Sequence, residues 1–142
     1  MKIYKLSTSI LIDYNQSYYQ LPLEEWDSLI NDDQIYANLT HWIKSGSATK
    51  ATGIDESVIL APVGSQQELW ACGVTYLRSK VGRKEESKVS GGADFYAKVY
   101  EAERPEVFFK ATPHRVVGPN GKVKIRKDST WDVPEPELTL VV

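Results

Sequence analysis

Two glutamates near the end of the chain have the residue type and spacing of metal ligands. Glu135 and Glu137 alternate with prolines in the segment Pro-Glu-Pro-Glu-Leu at residues 134–138. Each proline fixes its own φ, and Pro136 favours an extended backbone at Glu135. Because side chains in a strand alternate with a period of two, the two carboxylates are predicted to point to the same face. Paired carboxylate oxygens suit a hard divalent cation such as Mg²⁺.

An apolar β run follows this pair of glutamates. Residues 138–142 read Leu-Thr-Leu-Val-Val, and the sequence stops within them. A strand with no turn after it is an unusual ending, so we expect the chain to be the N-terminal part of a longer enzyme. If the natural protein ends here instead, a non-catalytic binding or structural module becomes the better interpretation.

The composition excludes several classes of function. The 142 residues are 42% hydrophobic and 25% charged, which is ordinary for a soluble globular protein. The net charge of -2 gives no broad attraction to nucleic acid or to an anionic membrane, and the longest apolar runs are too short to cross a bilayer. The single cysteine, Cys72, rules out an intrachain disulfide framework. We therefore expect a cytoplasmic protein that binds neither nucleic acid nor membrane.

Short strands and helices alternate without the rhythm of a doubly wound sheet, which predicts an α+β fold. We predict a first strand over residues 1–13 and helices over residues 23–30 and 34–44, the second helix with apolar residues at three-to-four spacing. The polar stretch that follows is interpreted as a linker. Residues 1–56 are therefore predicted to form an N-terminal region, and residues 57–142 a second domain.

The second region is predicted to mix strands, a charged segment and one helix. We expect Cys72 to be a small buried hydrophobe because it lies in an apolar strand. The predicted elements are strands at residues 69–76 and 107–111, a charged loop at 78–90, a helix at 93–103 and a tight turn at 118–121.

Five short blocks follow one another in this second region. They are Leu60-Ala61-Pro62-Val63, Ala71-Cys72-Gly73-Val74-Thr75-Tyr76, the ten residues from Arg104 to Pro113, Val117-Gly118-Pro119, and the segment at 134–138. In this order they resemble the fumarylacetoacetate hydrolase family over roughly residues 58–142. The resemblance implies a small N-terminal α/β region followed by the first part of a mixed β-roll catalytic domain of fumarylacetoacetate hydrolase type.

The resemblance also implies a metal site. Members of this family hold a divalent cation with a Glu-x-Glu pair and an Asp further downstream. Glu135 and Glu137 match the pair, so the implied cofactor is Mg²⁺, or Mn²⁺ or Ca²⁺. The Asp would lie beyond Val142, and we expect this chain alone to bind the metal weakly, because Mg²⁺ would keep most of its waters.

One departure from the family pattern selects among its reactions. Many hydrolases and decarboxylases of the family carry Asn-Tyr-x-x-His, whereas residues 75–79 here read Thr-Tyr-Leu-Arg-Ser. Ser79 stands where the His would be, which argues against carbon–carbon bond hydrolysis because a His is the usual base for activating water. The blocks around Gly73 and Glu106 are closer to the branch that dehydrates 2-keto-3-deoxy sugar acids, with 2-keto-3-deoxyarabonate dehydratase as the nearest member.

This branch implies a lyase reaction through an enolate. The metal would chelate the C1 carboxylate and C2 keto oxygen of a 2-keto acid and stabilise the enolate formed when a C3 proton leaves. Glu106 is the candidate catalytic acid/base that helps to expel the C4 hydroxyl as water, and an apolar setting would favour its protonated form. Arg78, Ser79 and Lys110 are the candidate substrate-binding residues. Each of these has a plainer alternative: a solvated glutamate, a charged loop or a surface lysine.

Other interpretations stay open at the level of sequence. A carbon–carbon hydrolase, isomerase or decarboxylase of the same family is the first alternative, and substrate polarity would separate it from a dehydratase. A non-catalytic fragment or binding module is the second. The expected partners are a small-molecule 2-keto acid and, because family members are commonly dimers, a second copy of the chain.

Overall fold

The chain divides into two units, each with its own antiparallel sheet. The computed structural model describes residues 1–23, 25–73, 76, 100–130, 132, 134 and 136–142. One unit comprises Met1–Gln67 together with Pro113–Val142, and the other comprises Glu68–Thr112. Few helices accompany these sheets, and the predicted α+β class is confirmed. The predicted boundary between residues 56 and 57 stays a prediction.

The first unit contains a four-stranded antiparallel sheet in the order β1-β2-β3-β4. The strands are β1 (Lys2–Lys5), β2 (Ser9–Tyr14), β3 (Ser17–Pro22) and β4 (Thr49–Ala51). The prediction of one strand over residues 1–13 is wrong, because the chain turns back between β1 and β2. The Leu6 N–H donates to the Ser9 carbonyl at 3.0 Å and closes that turn.

A two-residue loop joins β2 to β3. Tyr14 pairs with Ser17, so Asn15 and Gln16 form the whole connection. Both have positive φ, 49° and 61°, which is the backbone of a type I′ turn and matches the twist of a hairpin. This loop sets the β2–β3 register and places Ile10 and Ile12 on the face that packs against the helices.

The core of the first unit lies between this sheet and two helices, α1 (Trp26–Ile30) and α2 (Ile35–Ser45). Ile10, Ile12 and Leu39 are fully buried, and Trp26 and Leu29 pack with them. The helix predicted over residues 34–44 is confirmed, and Gly46 ends it in a left-handed conformation with φ 81°. The helix predicted from residue 23 begins only at Trp26, because the Leu23 N–H still bonds to the Thr8 carbonyl beside the sheet.

The polar stretch interpreted as a linker contributes β4 to the sheet. Tyr18 pairs with Ala51, and Gln20 pairs with Thr49. Beyond β4, the Leu60 N–H donates to the Lys5 carbonyl at 2.9 Å. A Cβ on Gly118 would lie 2.6 Å from the carbonyl oxygen of Ile59, so residue 118 packs directly against this segment. The linker prediction is therefore wrong for residues 49–51.

The second unit is described as one hairpin, β5 (Leu69–Cys72) with β6 (Val107–Ala111). The predicted strand at residues 107–111 is confirmed, while the strand predicted over residues 69–76 is described only as far as Cys72. Tyr100 and Glu101 are helical, and the rest of the helix predicted at residues 93–103 lies almost wholly outside the described residues, as does the charged loop at 78–90. Among the residues that are described, no helix has the length and apolar character needed to cross a bilayer.

Candidate active site

The β5–β6 hairpin carries two of the predicted site residues on one face. Ala71 pairs with Phe108 and Cys72 with Val107, and the Gly73 N–H extends the ladder by donating to the Glu106 carbonyl at 2.8 Å. Strand alternation places Glu106 and Phe108 on one face of the hairpin. Lys110 is left unpaired at a register shift opposite Leu69 and Trp70, and its contact with the Phe108 ring brings it to that same face. The predicted acid/base and one predicted substrate-binding residue are therefore brought to the same side of one element.

Glu106 lies at the end of this hairpin where the segment that connects β5 to β6 joins the strands, directly across from Gly73. Its side chain is exposed, so the apolar setting expected for it is absent from the part of the chain that is described. The carboxylate folds back over the neighbouring strand: a Cβ built on Gly73 would lie 3.0 Å from Glu106 Oε2. Glu106 is thus accessible to a small molecule and has a defined contact with β5.

Lys110 lies two residues beyond Phe108 on the same face. Its Nζ is 5.8 Å from the centroid of the Phe108 ring, a cation–π contact that orients the ammonium group. The side chain is exposed. A positive charge held over an aromatic ring is suited to the carboxylate of a small acid.

An open cavity of about 720 Å³ is formed by the segment on either side of Glu106 in the sequence. The residues that line it are Ala102, Glu103, Arg104, Pro105 and Val107. Arg104 brings a fixed positive charge and a planar donor set suited to carboxylates. Arg104 is not among the site residues predicted from the sequence, because an arginine in a charged stretch has no distinguishing spacing.

On the opposite face of the hairpin, the prediction that Cys72 is buried is wrong. The cysteine lies in a strand as expected, but it is exposed. Its face also carries Trp70 and Phe109, whose rings meet edge to face with centroids 5.9 Å apart. Both rings are about half exposed. A two-stranded sheet has two faces, and here this one remains in solvent.

Of the predicted metal ligands, Glu137 is described and Glu135 lies outside the described residues. Glu137 is exposed. The β run predicted at residues 138–142 is wrong for this chain: no strand is assigned to residues 136–142, and Leu138 and Leu140 are 82% and 74% exposed. Apolar alternation favours a strand only where a neighbouring strand and a core can accept it.

A pair of glutamate side chains fits a hard divalent cation, although of the two only Glu137 lies within the described residues. A glutamate carboxylate is the ligand type that Mg²⁺, Mn²⁺ and Ca²⁺ take. Within residues 1–23, 25–73, 76, 100–130, 132, 134 and 136–142, no three His, Cys, Asp or Glu side chains cluster closely enough to hold a metal ion. Arg78 and Ser79, predicted to bind substrate, also lie outside the described residues.

Two carboxyls in exposed turns, Asp55 and Asp128, have lowered pKa values. Hydrogen bonds from the Ser57 side chain and backbone lower the pKa of Asp55. The guanidinium of Arg126 lowers the pKa of Asp128 and has its own pKa raised by the same contact. Arg126 Nε donates to Asp128 Oδ1 at 2.9 Å. These are local contacts of exposed turns.

Two curated proteins are similar to this chain. Over 76 residues, or 54% of the chain, it is 55% identical to a probable 2-keto-3-deoxyxylonate dehydratase of Haloferax volcanii. Over 98 residues, or 68% of the chain, it is 40% identical to a 2-dehydro-3-deoxy-D-arabinonate dehydratase of Saccharolobus solfataricus. Both names belong to the dehydratase branch indicated by the sequence blocks, so the predicted resemblance is confirmed.

The matched regions are small parts of these relatives. They cover 25% of the Haloferax protein and 32% of the Saccharolobus protein. No family model matches the chain. No solved structure matches it either.

Proposed function

We propose that this chain belongs to a divalent-metal-dependent dehydratase, a lyase that acts on a 2-keto-3-deoxy sugar acid through an enolate. The observation that carries the proposal is the 55% identity to a protein named as a dehydratase of such an acid. The second relative, also named as a dehydratase of a 3-deoxy sugar acid, supports the same substrate class. The exposed face that holds Glu106 and Lys110 supplies groups suited to it.

In this proposal Glu106 is the acid/base that delivers a proton to the C4 hydroxyl. Dehydration breaks the C3–H and C4–O bonds, forms a C3–C4 double bond and releases water. The Glu106 carboxylate would take up the C3 proton and then deliver a proton to the C4 hydroxyl as the C–O bond breaks, so that one group accounts for both protons. Its exposed position across from Gly73 leaves room for the substrate hydroxyl.

The cationic residues would hold the substrate in place. Lys110, held over Phe108, would neutralise a carboxylate. Arg78 and Ser79 would contact the carboxylate or the hydroxyls of the sugar acid. Holding the acid in one orientation would align the C4–O bond with Glu106, which can supply a large part of the rate enhancement.

Glu135 and Glu137 would hold the cation, which is Mg²⁺ or, in its place, Mn²⁺ or Ca²⁺. When bound, the cation would supply Lewis-acid chemistry at the substrate's C1 carboxylate and C2 keto oxygen. We propose that the whole protein has a β-roll catalytic domain of fumarylacetoacetate hydrolase type, works as a homodimer and is cytoplasmic.

The test uses the protein as purified from its native source and a recombinant protein of that same length. The intact mass is compared with the 16.0 kDa of this chain, and the protein is incubated with 2-keto-3-deoxyarabonate or 2-keto-3-deoxyxylonate and Mg²⁺. We expect loss of the substrate as water is eliminated. The Glu106→Gln variant should lose about 100-fold or more in kcat.

Glu56→Gln is the matched control, because Glu56 is an exposed glutamate in the first unit. This variant should keep the parent rate. If neither acid is dehydrated by the native protein, the proposal is wrong. If both are dehydrated equally by the parent and by Glu106→Gln, the lyase assignment stands and the role of Glu106 is wrong.

A further inference from the structure

Gly73 occupies a position where a side chain would compete with the Glu106 carboxylate for space. The two residues face each other across the hairpin, joined by the 2.8 Å hydrogen bond from the Gly73 N–H to the Glu106 carbonyl. A Cβ on Gly73 would lie 3.0 Å from Glu106 Oε2, 3.6 Å from its Cβ and 3.8 Å from its Cδ. The Glu106 side chain therefore rests where residue 73 has none.

The backbone does not require glycine at this position. Among the described glycines, only Gly46 has positive φ, so a residue with a side chain could adopt the conformation of Gly73. At Gly53, by contrast, a Cβ would meet nothing within 4 Å. A Cβ on Gly64, Gly118 or Gly121 would meet its neighbours even more closely, but among the described glycines it is Gly73 whose Cβ would meet a predicted site residue. An isolated glycine next to a strand often marks such a close approach.

We propose that Gly73 is a positioning residue, whose missing side chain lets the Glu106 carboxylate lie against β5 in one orientation. This inference rests on the proposed function, because it assigns Gly73 a role through Glu106. Because residue 73 has no side chain, the Glu106 carboxylate can lie closer to the backbone at the end of β5. The hydrogen bond at 2.8 Å holds the two chains in the register that this contact needs.

A methyl group at residue 73 would move the carboxylate with little effect on the strand. The atom it meets first is the far end of a flexible side chain, and Glu106 is exposed, so the carboxylate can turn outward into solvent. The 3.0 Å contact is relieved when the carboxylate moves by a few tenths of an ångström. Because a displacement of about 1 Å at a reacting group can cost about 100-fold in rate, the loss expected here is smaller than that. The fold should therefore tolerate the change better than the reaction does.

The experiment compares Gly73→Ala with Gly53→Ala in the recombinant protein of native length. We expect Gly73→Ala to lower kcat by about 5- to 10-fold, with KM changed by less than about threefold because the positively charged substrate-binding side chains are untouched. Gly53→Ala should match the parent in both kcat and KM.

A double-mutant cycle with Glu106→Asp separates positioning from general loss of structure. The aspartate carboxylate is one methylene shorter, so a methyl at residue 73 should cost Glu106→Asp less than about threefold in kcat, well below its cost in the parent. Equal losses in both backgrounds, or parent-like kinetics for Gly73→Ala, would overturn the inference. An inactive parent protein would instead overturn the proposed function, which keeps the two failures distinct.

Discussion

Asp55 shows how one exposed carboxylate can order a turn. Its Oδ1 accepts hydrogen bonds from Ser57 Oγ at 2.7 Å and from the Ser57 N–H at 2.9 Å. These bonds favour the charged form and lower the pKa of Asp55. A carboxyl whose pKa is lower in the folded than in the unfolded chain stabilises the fold above the unfolded pKa. That contribution is lost as the pH falls through the folded pKa.

We expect Asp55→Ala to lower the melting temperature of the chain by about 1–3 °C at neutral pH, because the 3₁₀-helix Glu56–Val58 loses its N-terminal cap. The difference from the parent should shrink as the pH is lowered past the Asp55 pKa. Thermal unfolding followed by circular dichroism over a pH series measures both effects. Ser57→Ala is the control and should cost less, since the backbone N–H of residue 57 still donates. A difference that stays constant at every pH would contradict the electrostatic account.

Cys72 shows where prediction from a single residue type stops. Its strand was foreseeable from the apolar residues around it, but its burial was not, because burial depends on which face of the hairpin meets other atoms. Ala71, the preceding residue, is buried while Cys72 is exposed. Gly73 could have been noticed as a glycine following a strand, yet its contact with Glu106 depends on the β5–β6 register.

At the scale of elements, α2 carries the clearest packing consequence. Leu39 is fully buried in the core of the first unit, whereas Tyr36, on the same helix, is 61% exposed. We expect Leu39→Ala to lower the free energy of unfolding by about 2–5 kcal/mol, because it removes buried methyl groups and leaves a cavity. Tyr36→Ala is the matched control and should change it by about 0.5 kcal/mol or less. Urea unfolding of the full chain measures both, and equal losses would mean that Leu39 is not a core residue.

The elements that sequence reasoning found are those encoded by local periodicity. The three-to-four spacing in α2 is a property of eleven consecutive residues, so it could be recognised without knowing the neighbours. Strand β4 could not, because Thr49 and Lys50 are polar and become a strand only by pairing with β3. The converse happened at residues 138–142, where the apolar alternation was present and no strand formed.

At the scale of the whole molecule, the candidate site could be predicted only as residue types in a familiar order. The blocks from residue 60 onward led to the dehydratase branch, which the two relatives bear out. Strand alternation explains why Glu106 and Phe108 share a face, whereas Lys110 lies at a register shift that the sequence does not indicate. The matched regions span 25% and 32% of the relatives. Any site residues that the relatives carry outside those regions cannot be predicted from this sequence.

The 142-residue chain is expected to bind the divalent cation only weakly. The family resemblance implies an Asp downstream of the Glu pair, and the sequence after Glu137 contains none. Two carboxylates alone would leave Mg²⁺ or Mn²⁺ with most of its waters. We therefore expect calorimetric titration of the 142-residue chain with Mn²⁺ to show a Kd in the millimolar range. In the native protein, chelation should abolish dehydration, and added Mg²⁺ should restore it.

Glu137→Gln and Glu68→Gln separate a specific site from general attraction of the cation to acidic side chains. Glu68 is exposed and accepts a hydrogen bond from Trp70 Nε1 at 3.1 Å. Glu137→Gln should weaken Mn²⁺ binding further, whereas Glu68→Gln should leave it unchanged. Micromolar binding by the chain that survives Glu137→Gln would mean that the cation is held elsewhere. The Glu135–Glu137 assignment would then be wrong even if the native enzyme proved to be metal-dependent.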